Sequence, residues 1–329
     1  MTKFSESNQS ESNRSVIKKE NAVRDRGGKK RAFSRLGRCW QLYLLLAPTV
    51  VYLFIFNYLP MMGIQIAFRD YKFSRGIWDS AWVGLKHFRT FFESVQFESL
   101  MVNTVKISVY ALLFGFPFPI ILALLLNECK SMKLKKTVQT LTYAPYFIST
   151  VVMVSMLSMF LSPSTGIVNK AISFFGGTPY DFMGSAKAFR SVYIISGIWQ
   201  GTGWSSIIFI AALAGIDPQL HEAAEIDGAN RLQRIWHINL PGILPTAVIV
   251  FIMNCGSIMS VGFEKVYLMQ NSMNQSTSEI IATYVYKMGI QKAQYSYTTA
   301  IGLFNSLINL VLLLIVNHIS KKVSEISVF

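Results

Sequence analysis

The chain has 329 residues, 52% of them hydrophobic and only 15% charged, with 31 Lys and Arg against 17 Asp and Glu for a net charge of +14. A soluble globular domain carries about 25% charged residues, so this composition argues against an ordinary soluble fold, and three cysteines are too few for a disulfide framework. Charge is missing from long blocks rather than thinned throughout, and those blocks set the class.

Residues 1–38 form a polar segment with eleven Lys and Arg and four Asp and Glu, about half of the net charge. Such a segment cannot bury enough apolar surface to fold alone. It reads as a disordered basic cytoplasmic tail, retained rather than cleaved, with a topological role and weak attraction to anionic lipid. It is not a folded basic domain with interleaved aromatics, the pattern that would suggest nucleic acid as a partner. Gly27-Gly28-Lys29 lacks the spacing of a phosphate-binding loop.

Six windows then run without Asp, Glu, Lys or Arg: Cys39–Phe68, Ile107–Asn127, Thr137–Asn169, Ser191–Ile216, Ile235–Phe263 and Ala293–Ser320. Each is long enough for the roughly 20 apolar residues that a bilayer-crossing helix needs. Strict apolar–polar alternation, the mark of a membrane β-barrel, is absent from runs such as Val151-Val152-Met153-Val154. The expected fold is an all-α membrane protein with six transmembrane helices, near 42–66, 103–127, 139–162, 191–215, 242–263 and 297–319, making residues 39–329 one transmembrane domain. Gly115, Pro117 and Pro119 mark a kink in the second span, and Pro145 one in the third.

The Lys and Arg bias sets orientation. With the N-terminus inside, the tail, 128–136, 217–234 and the C-terminus hold 19 Lys and Arg, and the longer outside segments hold the other 12. The loop 128–136 is the clearest case, with Lys130, Lys133, Lys135 and Lys136. Both termini are expected in the cytoplasm. Within the windows no ionisable group lies away from the ends; coupled carriers and pumps usually need one. No catalytic or metal-binding cluster stands out, so work must come from another subunit.

The inside loop 217–241 carries the strongest pattern. Asp217-Pro218 reads as an N-cap followed by a first-turn proline, Leu220 to Asp227 as a short helix, Gly228 as a left-handed stop, and Ala229 to Ile238 as a second helix before Pro241 opens the fifth span. Ala223 and Ala224 leave a low surface for another protein, and Glu222 and Glu225 offer charge at its rim. From the residues alone, a hairpin resting on the bilayer surface is equally open.

Glu222-Ala223-Ala224, then Gly228, then Ile238-Asn239-Leu240-Pro241, at those distances, resemble the signature loop of permease subunits of binding-protein-dependent ABC importers. Val83-Gly84-Leu85-Lys86-His87-Phe88, with His87 where Asn is usual, and Asn103-Thr104 are similar to further segments of that family. The resemblance is nearest to six-span carbohydrate permeases of bacterial cytoplasmic membranes. The stretch Glu264-Lys265-Val266-Tyr267-Leu268-Met269 with Tyr284-Val285-Tyr286 looks like the subgroup handling alginate and pectin oligosaccharides.

The resemblance implies a coupling helix–turn–helix in which Glu222, Ala223, Ala224, Glu225, Gly228, Leu240 and Pro241 engage an ATPase subunit. It implies as partners a second homologous permease, two ATPase subunits carrying ATP and Mg, an extracytoplasmic solute-binding protein and a sugar. This chain itself would hold no cofactor and catalyse nothing. ATP would close the ATPase dimer, carry the coupling helices with it and turn the spans outward, a bias of roughly 5.5 kcal/mol for a near-complete switch. The expected substrate is a sugar or oligosaccharide, acidic in the alginate or pectin manner; alternatives are a neutral maltose-type oligosaccharide and, remotely, a secondary carrier. For the sugar path the residues offered are Gln200 and Trp204 on one face of the fourth span and Asn254 and Ser257 on one face of the fifth. Helix–helix packing is the competing role for each.

Overall fold

The computed structural model describes residues 40–260 and 262–324. The basic tail 1–38, Cys39 and the last residues, 325–329, lie outside this range. Among the described residues, five helices are long and apolar enough to cross a membrane: α1 (Trp40–Phe68), α3 (Gln96–Asn127), α7 (Ala186–Ala214), α9 (Arg231–Gly256) and α13 (Tyr295–Ser324). A sixth span is made by α4 (Met132–Phe147) and α5 (Thr150–Phe160) if that bent pair is counted as one. The chain is thus a multi-pass, mainly helical membrane protein.

Two proline sites show how these helices tolerate a missing N–H. In α1 a π-turn at Phe54–Tyr58 precedes Pro60, and in α9 another at Ile235–Asn239 precedes Pro241. The wider turn lets Leu59 and Leu240 donate to the carbonyls five residues back, Phe54 and Ile235. The backbone stays satisfied and the helix continues. Pro241 therefore does not separate a loop helix from the fifth span, as its position suggests; one helix runs from Arg231 through Gly256.

The third window, read as a single span near 139–162, is broken instead. Pro145 sits in a 3₁₀ turn at Ala144–Phe147, Ile148 is extended, and the Ser149 hydroxyl accepts from Val152 N–H to start α5. The two halves meet at 102°. By contrast, Pro117 and Pro119 leave α3 helical, since both stand within the first residues after the Phe116 joint. The fifth helix stops at Gly256, short of the expected 263, and after a turn the chain enters α10 (Phe263–Met269).

The segments between spans are more ordered than the sequence suggests. Residues 69–82 form an antiparallel hairpin, β1 (Arg69–Lys72) and β2 (Gly76–Trp82), followed by α2 (Lys86–Phe92). His87 Nε2 lies 3.1 Å from the Arg69 carbonyl, which ties α2 back to the hairpin. Further short helices are α6 (Ile167–Phe174), α8 (Pro218–Ile226), α11 (Gln275–Ser278) and α12 (Ile281–Tyr286). Asn103 and Thr104 explain their place in the sequence pattern. Asn103 Nδ2 donates to the carbonyls of Ser276 and Glu279 at 3.0 and 3.1 Å, its Oδ1 accepts from Arg190 at 2.8 Å, and Thr104 Oγ1 accepts from Ile281 N–H at 3.0 Å. These two buried side chains fasten α11 and α12 to α3 and satisfy backbone groups that a membrane would leave unpaired.

Three apolar clusters hold the bundle. One gathers Phe91, Leu100, Met259, Ile281, Tyr284 and Ile301; a second gathers Ile107, Val154, Phe189, Val266, Met269 and Ile280. The third, Ala123, Phe209, Leu213 and Ile243, lies beside the 217–241 loop. Helix α7 packs close to α4 because residue 203 is glycine: a Cβ there would collide with the Thr142 carbonyl.

Candidate functional site

At the 217–241 loop, Asp217 caps α8 by accepting from Gln219 N–H at 3.0 Å, and Pro218 takes the first turn. The helix ends in a Schellman turn. Ala229 N–H donates to Ala224 O at 2.8 Å and Gly228 N–H to Glu225 O at 3.1 Å, with Gly228 at φ +78°. The second helix starts at Arg231, two residues later than Ala229. Asn230 and Gln233 form a reciprocal capping box there.

The hairpin leaves large apolar side chains open among its polar ones. Ile226 is 87% exposed, Leu232 68% and Trp236 65%, and Glu222, Ala223 and Gly228 are exposed beside them. Glu225 does not offer a free rim charge, because it pairs with Arg234 across the turn. Leu240 packs into the third apolar cluster, and Pro241 is exposed at the start of α9. Asn239, the variable position of the motif, is fully buried and its Nδ2 donates to Glu128 Oε1 at 3.1 Å, joining this hairpin to the end of α3.

Deeper in the bundle, α3, α7 and α9 enclose a cavity of about 630 Å³. Trp204, Asn254 and Ser257 all line it, along with Ser108, Tyr193 and Ser205. Trp204 is held rigid: its ring stacks on Tyr146 at 4.6 Å and 5°, and Phe147 meets it edge-on. Ser257 Oγ leans back on the Asn254 carbonyl at 3.2 Å, and Asn254 is exposed toward the cavity. Gln200 is not among these walls. It lines an adjoining cavity of about 320 Å³ that shares Tyr193 and Ser205 with the larger one, and its Nε2 donates to Ile148 O at 2.9 Å. That bond satisfies a carbonyl freed by the break in the third span, so half of the Gln200 amide is structural.

Two cavity residues were not legible in the sequence. Tyr193 sits near the start of α7 and looks like a packing aromatic. Lys265 lies just beyond the uncharged fifth window, and only the break at Gly256 brings it back to the wall.

Against known families, residues 115–325 match the model described as "Binding-protein-dependent transport system inner membrane component". The chain belongs to this family. It is a transport permease subunit, and its relatives are permeases rather than enzymes. Protein LplB of Bacillus subtilis (strain 168) is 45% identical over 88% of this chain and 91% of that one. The polygalacturonan/rhamnogalacturonan transport system permease protein YteP of the same strain is 43% identical over 92% of this chain and 94% of its own. Among solved structures, a chain of a bacterial ABC transporter involved in import of the acidic polysaccharide alginate superposes with a TM-score of 0.83 at 41% identity. It covers 89% of this chain and 99% of that one. A second structure of such a transporter, in complex with an alginate pentasaccharide-bound periplasmic protein, matches equally well.

Proposed function

We propose that this permease carries an acidic oligosaccharide of the uronate type across the cytoplasmic membrane, as one half of a two-permease path. Its standing as a sugar permease of an ABC importer follows from its family and from relatives that match over nine-tenths of its length. The acidic class draws on the alginate and polygalacturonan relatives. The observation that carries the reading is the cavity of about 630 Å³, which combines a rigid aromatic, Trp204, with hydrogen-bonding groups on Asn254, Ser257, Ser108 and Ser205. Sugars bind to such a mixture of flat apolar faces and fixed polar groups. Polar groups in a bilayer are costly unless paired or facing water.

The hairpin transmits the drive from the ATPase subunit. Ile226, Leu232 and Trp236 are the exposed apolar side chains that an ATPase subunit covers, Ala223 allows close approach, and Glu222 is the rim charge, in no ion pair among the described residues. ATP and Mg act on that subunit. A solute-binding protein delivers sugar from the other side, and both termini of this chain face the cytoplasm. Alanine at Trp204, Asn254 and Ser257, in the complex assembled with its partners, tests the path. Uptake falls while basal ATP hydrolysis persists; unchanged uptake in all three variants would place the path elsewhere.

A further inference from the structure

Lys265 stands where no counter-charge meets it. Its Nζ donates to Tyr193 O at 3.0 Å and sits 4.8 Å from the centre of the Tyr193 ring. Among the described residues the ion pairs are Arg89–Glu93, Arg234–Glu225 and Lys287–Glu279, and Lys265 belongs to none. The side chain is partly buried, and that desolvation pushes its ammonium down from the usual 10.5 to about 8. Together with Gln200, Thr202 and Ser205 it lines the cavity of about 320 Å³, which adjoins the larger cavity across shared wall residues.

A buried cation without a carboxylate is costly, and proteins retain one where a ligand completes the pair. An ammonium has three donors, and one is committed here, so two remain for an incoming oxygen pair. Gly197 lines the same cavity beside the ammonium: a Cβ at that position would stand 3.4 Å from Lys265 Nζ, in van der Waals contact. The Tyr193 ring, itself a wall of both cavities, lies against the ammonium and helps hold it on the cavity wall.

We infer that Lys265, braced by Tyr193 and flanked by Gly197, is the side chain that recognises a carboxylate of the transported sugar. This rests on the acidic-substrate reading above and sharpens it to one residue. The neighbouring amide of Gln200 supplies a polar wall for the adjoining hydroxyls, since only its Nε2 is tied to Ile148.

The test uses the complete complex in proteoliposomes with its binding protein, its native cysteines replaced by serine, and radiolabelled trigalacturonate as the probe. Lys265→Cys should raise the KM for uptake by roughly tenfold, the loss of one charge-assisted hydrogen bond. Treatment with 2-aminoethyl methanethiosulfonate, which rebuilds a lysine-like ammonium, should restore it to within a few-fold, and methyl methanethiosulfonate should not. Basal ATP hydrolysis and the melting midpoint of the complex should stay unchanged in all three forms. Gly197→Leu, which fills the cavity beside the ammonium, should give the same KM defect with Lys265 intact. Equal rescue by the neutral reagent, or a melting midpoint that falls with uptake, would reduce Lys265 to a structural role. Acid uptake that is indifferent to Lys265→Cys would overturn this inference and leave the acidic-substrate reading standing. No uptake of trigalacturonate or of an alginate trisaccharide by the unmodified complex would overturn both.

Discussion

Replacing Gly228 isolates the turn of the hairpin from everything around it. The residue sits at φ +78°, and a Cβ built there meets nothing within 4 Å. The cost of a side chain is therefore conformational alone. A left-handed conformation costs an L-residue roughly 1–2 kcal/mol, least for Asn and most for a β-branched residue. If docking on the ATPase needs the Schellman turn formed, Gly228→Val at ~2 kcal/mol weakens that docking by about 30-fold. Gly228→Ala should lie between, and Gly228→Asn within a few-fold of the parent. The assay is titration of purified ATPase subunit onto the permease pair in nanodiscs, read by biolayer interferometry, with the melting midpoint as a control. Because α8 ends at an exposed turn away from the three apolar clusters, the melting midpoint should scarcely move. Equal affinity for the Val and Asn variants would show that the left-handed turn plays no part in docking.

Gly203→Val should destabilise the bundle by at least the ~1–3 kcal/mol typical of overpacking, because the added atoms meet the Thr142 backbone rather than a movable side chain; a thermal melt in detergent checks it. Ser131→Cys, at the cap of α4, should resist an impermeant thiol reagent in intact cells of a cysteine-free background, and Ser173→Cys in α6 should react; the reverse pattern would invert the topology. Uptake of an acidic sugar should weaken as pH rises through about 8, where the partly buried Lys265 ammonium loses its proton while the sugar carboxylates stay charged. The titratable group the structure places against it is Tyr193 on α7, and α5, which packs on α10, carries no charged residue. Lys265→Arg, which stays protonated, should flatten that profile, as measured by KM against pH.

The uncharged windows made the spans legible because a bilayer tolerates few charges, and the loop 217–241 was legible because caps and left-handed glycines leave local marks. What hydropathy could not show is where an apolar run stops being one helix. Ile148 in extended conformation breaks the third window without any charge, and Gly256 ends the fifth while the residues beyond remain apolar. Lys265 was hidden for the same reason: it stands at the start of the outside segment 264–292, just after Glu264, until the break at Gly256 returns it to the cavity wall. Glu225 and Gln200 were read by type and spacing as free groups, but each is partly committed, to Arg234 and to the Ile148 carbonyl. Such pairings depend on tertiary approach and leave no periodic trace.

The central claim, that this permease moves an acidic sugar by work done on partner subunits, meets its most direct test in ATP-driven uptake by the complete complex in proteoliposomes. Labelled trigalacturonate and maltotriose are offered side by side, with and without ATP and the binding protein. The account predicts accumulation of the acidic trisaccharide only when both ATP and binding protein are present, and none by this chain alone. Accumulation of maltotriose in preference to the acid, or uptake by this chain without ATP, would contradict it.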